Sequence, residues 1–277
     1  MSTVSTRLPG RFPRAMRGRW FDPAPVISLL GVLVVWQIAA SFASDTVVPA
    51  LPDVLSAMWD ILSGDGLRDF LTTLARVGAG LAASFVVGTT LGILAGALPT
   101  FGRYVLPVVR FVQGIPALSW VVIAVIWFKS VELRIWFIML IVTLPGFTLQ
   151  LYDSYRAIPR ELRDMARSFR PSRGALLREV TLPAVTPGIF TAWKVNLGLG
   201  IRMVLVAELV GATIGVGAQL LNAQQLFDMT AVVAWTLLLA LAVLLAQGVI
   251  ELIEARVLRY RPPVGDRAAA TARARQT

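Results

Sequence analysis

Long apolar stretches of this chain, among them residues 26–43, 77–102, 135–152 and 229–250, run for eighteen residues or more without a charged side chain. A helix of eighteen residues just spans a hydrocarbon core of roughly 30 Å. Backbone inside lipid must satisfy its hydrogen bonds within its own segment, so such runs fold as membrane-spanning helices. The composition agrees, being 56% hydrophobic with a mean hydropathy of +0.72. These values lie far from those of soluble domains.

The formal charge of +10 would suit nucleic acid if it formed a patch. Instead the basic residues flank the apolar runs, which is the pattern of membrane topology, and no nucleic-acid partner is expected. The chain holds no cysteine and no histidine. That excludes disulfides, the common zinc and copper ligand sets, and Ser-His-Asp or Cys-His catalysis. The spans offer no clustered carboxylate pair for acid–base work. No Gly-x4-Gly-Lys-Ser/Thr phosphate loop is present, so the chain does not itself hydrolyse ATP.

Residues 1–24 carry Arg7, Arg11, Arg14, Arg17 and Arg19 and read as a mobile cytoplasmic tail. After the first span, residues 44–69 hold Asp45, Asp53, Asp60, Asp65 and Asp69 against Arg68, which places that loop outside. Gly88, Gly92 and Gly96 in the second span are four apart, forming a small-residue stripe for close helix packing. A third span is expected over 104–128, with Pro116 inside it, and a fourth over 135–152, with Pro145-Gly146 at its middle. A fifth covers about 187–211 and a sixth 229–250. The expectation is an all-α polytopic protein of about six transmembrane helices with both termini cytoplasmic. One transmembrane domain, 25–262, is followed by a disordered Arg-Ala-rich tail, 263–277. No internal repeat is evident, which disfavours a two-half carrier.

Between the fourth and fifth spans, residues 153–186 form a basic segment. Arg163, Arg167 and Arg170 recur at helical spacing, and Pro171 and Gly174 then interrupt. Charge alone supports no more than a cytoplasmic flank. The spacing says more. Asp164-Met165-Ala166, then Arg170, then Val180, Leu182 and Pro183 resemble the EAA loop of ABC importer permeases. That loop reads Glu-Ala-Ala, three residues, Gly, nine residues, Ile-x-Leu-Pro. Two positions depart: Asp164 stands for the glutamate and Arg170 for the glycine, where it adds bulk and removes backbone freedom.

The likeness extends over roughly residues 50–260. The runs LTTLARVGAGLAASFVVGTTLGILAGALP, RFVQGIPALSWVVIAVIWF, YDSYRAIPRELRDMARSF and VAELVGATIGVGAQLLNAQ resemble that family's pieces in order and separation. They resemble most the branch importing nitrate, sulfonates, taurine and related small anions. The resemblance implies a type I ABC importer permease in the inner (cytoplasmic) membrane. It implies a second permease subunit, identical or paralogous, two ABC ATPase subunits that bind the ATP and magnesium, and an extracytoplasmic solute-binding protein. No cofactor or metal is expected in this chain. It further implies that residues 161–172 are the coupling helix gripped by the ATPase. Glu161, Asp164, Met165, Ala166, Arg167, Arg170 and Ser172 belong to it, with Pro183 closing the motif.

The fifth span departs from the charge-free rule with Lys194, Arg202 and Glu208. An ionisable group at membrane depth costs roughly 2.5–3.5 kcal/mol on insertion scales, so it faces a cavity or a partner. Arg202 and Glu208 are six apart, about 120° around a helix, and cannot pair as neighbours. Lys194 lies nearer the inner end and can snorkel. Arg202 either faces a path for anions or pairs with another helix or chain. Glu208, Gln113 and Trp120 are further path candidates, although Trp120 also suits packing. In the alternative of an ion-coupled secondary transporter, Glu208 is the acid that would carry the ion.

Overall fold

The computed structural model describes residues 24–44, 47–159, 161–162, 165, 168 and 172–259. Residues 1–23 of the expected cytoplasmic tail over 1–24, the C-terminal tail over 263–277, and Asp164, Ala166, Arg167 and Arg170 lie outside them. So do the two termini whose side of the membrane was expected.

Every regular element among the described residues is helical. In chain order they are α1 (Ala24–Phe42), α2 (Leu51–Ser63), α3 (Gly66–Ala97), α4 (Pro99–Gly114), α5 (Ala117–Trp127) and α6 (Val131–Arg156). A short turn at Arg173–Ala175 then runs through a π-helical stretch, Leu176–Thr181, into α7 (Leu182–Leu209). Finally come α8 (Val216–Gln225) and α9 (Met229–Val257).

Four stretches are long and apolar enough to cross a membrane: α3, α6, the continuous Leu176–Leu209, and α9. The first expected span is the shorter apolar helix Ile27–Phe42 within α1. The third is corrected. It is not one straight helix but the pair α4 and α5, bent by 93°. Pro116 causes the break, because a residue before proline is driven from helical to extended backbone. Ile115 accordingly sits at φ −77°, ψ 129°.

The second expected span also shifts. Its helix starts at Gly66, not near 77, and takes Asp69, Thr73 and Arg76 into α3. The charges are tolerated because each finds a partner, as shown below.

The glycine stripe on α3 packs against α6. A Cβ at Gly92 would stand 2.4 Å from the Thr148 carbonyl oxygen, and one at Gly88 would stand 2.7 Å from Phe147 Cβ. Glycine is needed at these two positions because the backbones approach so closely. Around this seam lies the core: Val77 and Leu81 of α3, Phe147 and Leu151 of α6, and Leu197 and Val204 of α7. Phe85, Phe147 and Trp193 meet there with ring centroids 5.3–5.7 Å apart. A smaller cluster of Val216, Trp235, Leu238 and Leu239 joins α8 to α9.

The π-helical stretch has a local cause. Proline at 183 carries no N–H, and the Leu182 N–H donates five residues back, to the Leu177 carbonyl. The helix widens by one residue there without breaking.

Candidate functional site

Where α4 turns into α5, a cavity of about 340 Å³ opens against α6 and α7. Gln113 lines it from the end of α4, and Trp120 from the first turns of α5. The two path candidates named from sequence on either side of Pro116 therefore share one space. Trp120 also packs edge-on against Phe137 at 6.1 Å, so its ring serves both the packing and the cavity wall.

The opposite wall is built from Ile141, Gly146 and Asn196. Pro145 lies inside α6 and has no N–H to give the Ile141 carbonyl four residues back. Asn196, from mid-α7, is 1% exposed. Its Nδ2 donates to the Ala192 carbonyl at 2.9 Å, while its Oδ1 is buried without a donor. A Cβ at Gly146 would come within 2.5 Å of that oxygen, so Gly146 makes the room that Asn196 fills. Sequence reading missed Asn196 because it weighed ionisable groups in this span, whereas an amide at membrane depth carries the same signal more weakly.

Arg202 stands further along α7. Val195 and Leu199 line the cavity, and 195, 199 and 202 follow helical spacing on one face. At 1.5 Å per residue, Arg202 lies about 10 Å beyond Val195 along the helix. It is exposed, and among the described residues it makes no hydrogen bond or ion pair. Within one chain, then, Arg202 does not pair with Glu208.

Glu208 is placed elsewhere, outside the cavity. It is wholly buried. Arg76 Nη1 donates to its Oε1 at 2.7 Å, the Gly217 N–H to its Oε2 at 2.9 Å, and the Thr73 hydroxyl is 2.9 Å from each oxygen. Thr73 Oγ1 in turn accepts from the Val216 N–H at 2.8 Å. Arg76 continues outward, with Nη1 to the Ile214 carbonyl at 2.8 Å and Nε to Glu132 Oε2 at 3.2 Å; its Nη2 also contacts Glu132 Oε1.

Asp69 completes the arrangement by accepting from the Gly215 N–H at 2.7 Å and from Gln219 Nε2 at 2.8 Å. Gly215 has φ +123°, and a Cβ there would meet Glu208 Oε1 at 2.5 Å. The network pins the turn between α7 and α8 onto α3. Arg76 escaped the sequence reading because it sits one residue before the run taken as the span, where it looked like flanking charge.

Lys194 was expected to snorkel. It instead pairs with Glu254 of α9 at 2.5 Å, with Glu251 at 3.9 Å. This is possible because both glutamates lie on the last turns of α9.

Of the expected coupling segment, Glu161 and Met165 are described and exposed, Met165 at 58%. Ser168 Oγ donates to the Met165 carbonyl at 2.7 Å. Ser172 Oγ accepts from the Ala175 N–H at 3.2 Å, an N-cap for the helix that starts at Arg173. Pro183 follows the π-helical stretch Leu176–Thr181 after Leu182, within the continuous helix Leu176–Leu209.

The family described as "binding-protein-dependent transport system inner membrane component" matches residues 88–259, well over half of the chain. The bicarbonate transport system permease protein CmpB of Synechococcus elongatus is 28% identical, over 73% of this chain and 77% of that protein. The aliphatic sulfonates transport permease protein SsuC of Escherichia coli, a putative assignment, is 29% identical over 88% and 91%. The nitrate import permease protein NrtB of a Synechocystis strain is 26% identical over 70% and 74%. Among solved structures, a chain of the MetNI methionine ABC transporter in an inward facing conformation superposes with a TM-score of 0.62. It is 20% identical, covering 69% of this chain and 95% of that one.

Proposed function

The chain belongs to the binding-protein-dependent transport system inner membrane components, and from that premise we propose that it forms one half of an ATP-driven import path for a small anion. The solute class is that of bicarbonate, nitrate or sulfonate. The observation that carries the anion reading is Arg202. It is a cation at membrane depth with no partner among the described residues, on the helical face that also lines the cavity at the α4–α5 break. A charge left without a partner in one chain, on the stripe of Val195 and Leu199, is suited to attract anions through a path completed by a second permease.

Two ABC ATPase subunits, which bind the ATP and magnesium, would grip the 161–172 segment from the cytoplasm. Their closure would switch the membrane halves between inward-open and outward-open states. An extracytoplasmic solute-binding protein would deliver the solute. The reading as an ion-coupled carrier is weaker. It needs Glu208 to exchange an ion, yet that carboxylate already faces Arg76, Thr73 and the Gly217 N–H in a buried network.

The test is reconstitution of the chain in vesicles with the ATPase, second permease and binding protein that copurify with it. Uptake of labelled bicarbonate, nitrate and taurine should require enclosed ATP and all partners. Uptake by the chain alone, driven by a proton or sodium gradient, would overturn the proposal.

A further inference from the structure

The helix α2 carries two apolar stripes. Val54, Met58 and Ile61 face the protein. Val54 is wholly buried, and Met58 and Ile61 pack on the cluster of Val216, Trp235, Leu238 and Leu239. Leu55, Trp59 and Leu62 repeat the same spacing one residue later, about 100° around the helix. They are 55%, 71% and 37% exposed. Ser56, Asp60 and Ser63 take the remaining arc and are also exposed. The stripes adjoin, yet only one of them finds protein.

Two observations set the level of α2 against the spans. Its start is tied to α1, where the Leu51 N–H donates to Gln37 Oε1 at 3.1 Å and Trp36 Nε1 donates to the Pro49 carbonyl at 3.0 Å. Gln37 lies about 8 Å before Phe42, the end of that apolar helix. On the other side, Trp235 and Leu238 lie about 9 and 14 Å inside the start of α9, within the charge-free run 229–250. Both neighbours hold α2 at the level of lipid rather than above it. Beside it, α1 exposes Val35, Ile38 and Phe42, so the second stripe of α2 continues an apolar surface that already meets the bilayer.

We propose that α2 lies in the membrane interface, with Leu55, Trp59 and Leu62 seated among the headgroups and first methylenes of the leaflet on the side of the 44–69 loop, the expected outer one. The amphipathic Trp59 ring suits that depth. The partner is a zwitterionic lipid surface. The helix bears Asp53 and Asp60 and no basic residue, so anionic headgroups gain nothing there.

The absence of cysteine provides the test. Leu55→Cys, Trp59→Cys and Leu62→Cys, and separately Ser56→Cys, Asp60→Cys and Ser63→Cys, are spin-labelled one at a time in the assembled transporter in phosphatidylcholine vesicles. All six side chains are exposed, so the packed stripe stays intact. Collisions with oxygen, which partitions into lipid, and with a water-soluble nickel chelate are then measured. The oxygen-to-nickel ratio should be several-fold higher at the three apolar positions than at the three polar ones, and unchanged when phosphatidylglycerol is added. Bimane on Trp59→Cys, or on Leu62→Cys if the first variant fails to fold, should be quenched more by lipid brominated near the headgroup than by lipid brominated near the chain end. Equal nickel access at all six positions would place the stripe in water, and exclusion of both reagents would place it under another protein chain. Either result, a pattern that needs anionic lipid, or stronger quenching from the chain ends would overturn the proposal.

Discussion

Arg76 of α3 and Glu208 of α7 meet at 2.7 Å, with the arginine side chain 10% exposed and the glutamate fully enclosed. They are 132 residues apart in sequence. The pair holds the α7–α8 turn to α3, because the same guanidinium also reaches the Ile214 carbonyl.

Arg76→Leu leaves Glu208 as an uncompensated buried charge, so it should destabilise the chain by about 3–5 kcal/mol. Adding Glu208→Leu should recover a large part of that loss, since both charges then vanish together. Thermal unfolding of the detergent-purified single and double variants checks this. Lys194→Met is the contrast. That lysine is one-third exposed, and its loss should cost about 0.2–1 kcal/mol.

Gly92→Leu should abolish monodisperse protein, because its Cβ alone would stand 2.4 Å from a backbone oxygen of α6. Even Gly92→Ala should cost about 1–3 kcal/mol as overpacking. Gly78→Ala, with nothing within 4 Å of the added Cβ, should be neutral or slightly stabilising. Size-exclusion profiles and melting temperatures of the three variants separate the cases.

Arg202→Gln should lower anion uptake about tenfold or more, as befits loss of a charge worth over 1.4 kcal/mol in the path, while copurification with the ATPase is unchanged. Arg202→Lys should retain part of the rate. Normal uptake by the glutamine variant would remove Arg202 from the path.

Charge reversal at Asp164 or Arg167, or Met165→Glu at the exposed methionine, should uncouple ATP hydrolysis from uptake or release the ATPase. ATPase turnover measured with and without the binding protein reports this. Full stimulation and normal transport in all three variants would show that the segment is no handle.

Hydrophobic run length located most of the architecture. The run over 135–152 falls inside Val131–Arg156, and 229–250 inside Met229–Val257. A helix apolar on most faces has only one stable environment, so its sequence suffices. The 93° bend at Ile115–Pro116 was less legible, although Pro116 itself was conspicuous. Hydropathy has no direction, and proline at 107, 145 and 187 stays within continuous helix. The start of α3 at Gly66 was hidden because Asp69 and Arg76 looked like flanking charge, and their partners Gly215, Gln219 and Glu208 lie in no local window. In the candidate site, Gln113 and Trp120 were visible from their place beside the break. Asn196 was not, because its significance comes from an oxygen that folding leaves without a donor.

The π-helical stretch and α7 form one backbone from Leu176 to Leu209, 34 residues or about 50 Å at 1.5 Å per residue. Ser172 caps the helical turn that leads into this rod, and Asn196 and Arg202 ride on its far half. A twist applied near Ser172 would therefore turn the stripe of Val195, Leu199 and Arg202 along the same shaft, as a key turns a bolt, with the widened turn at Leu176–Thr181 setting the angle at which the key enters.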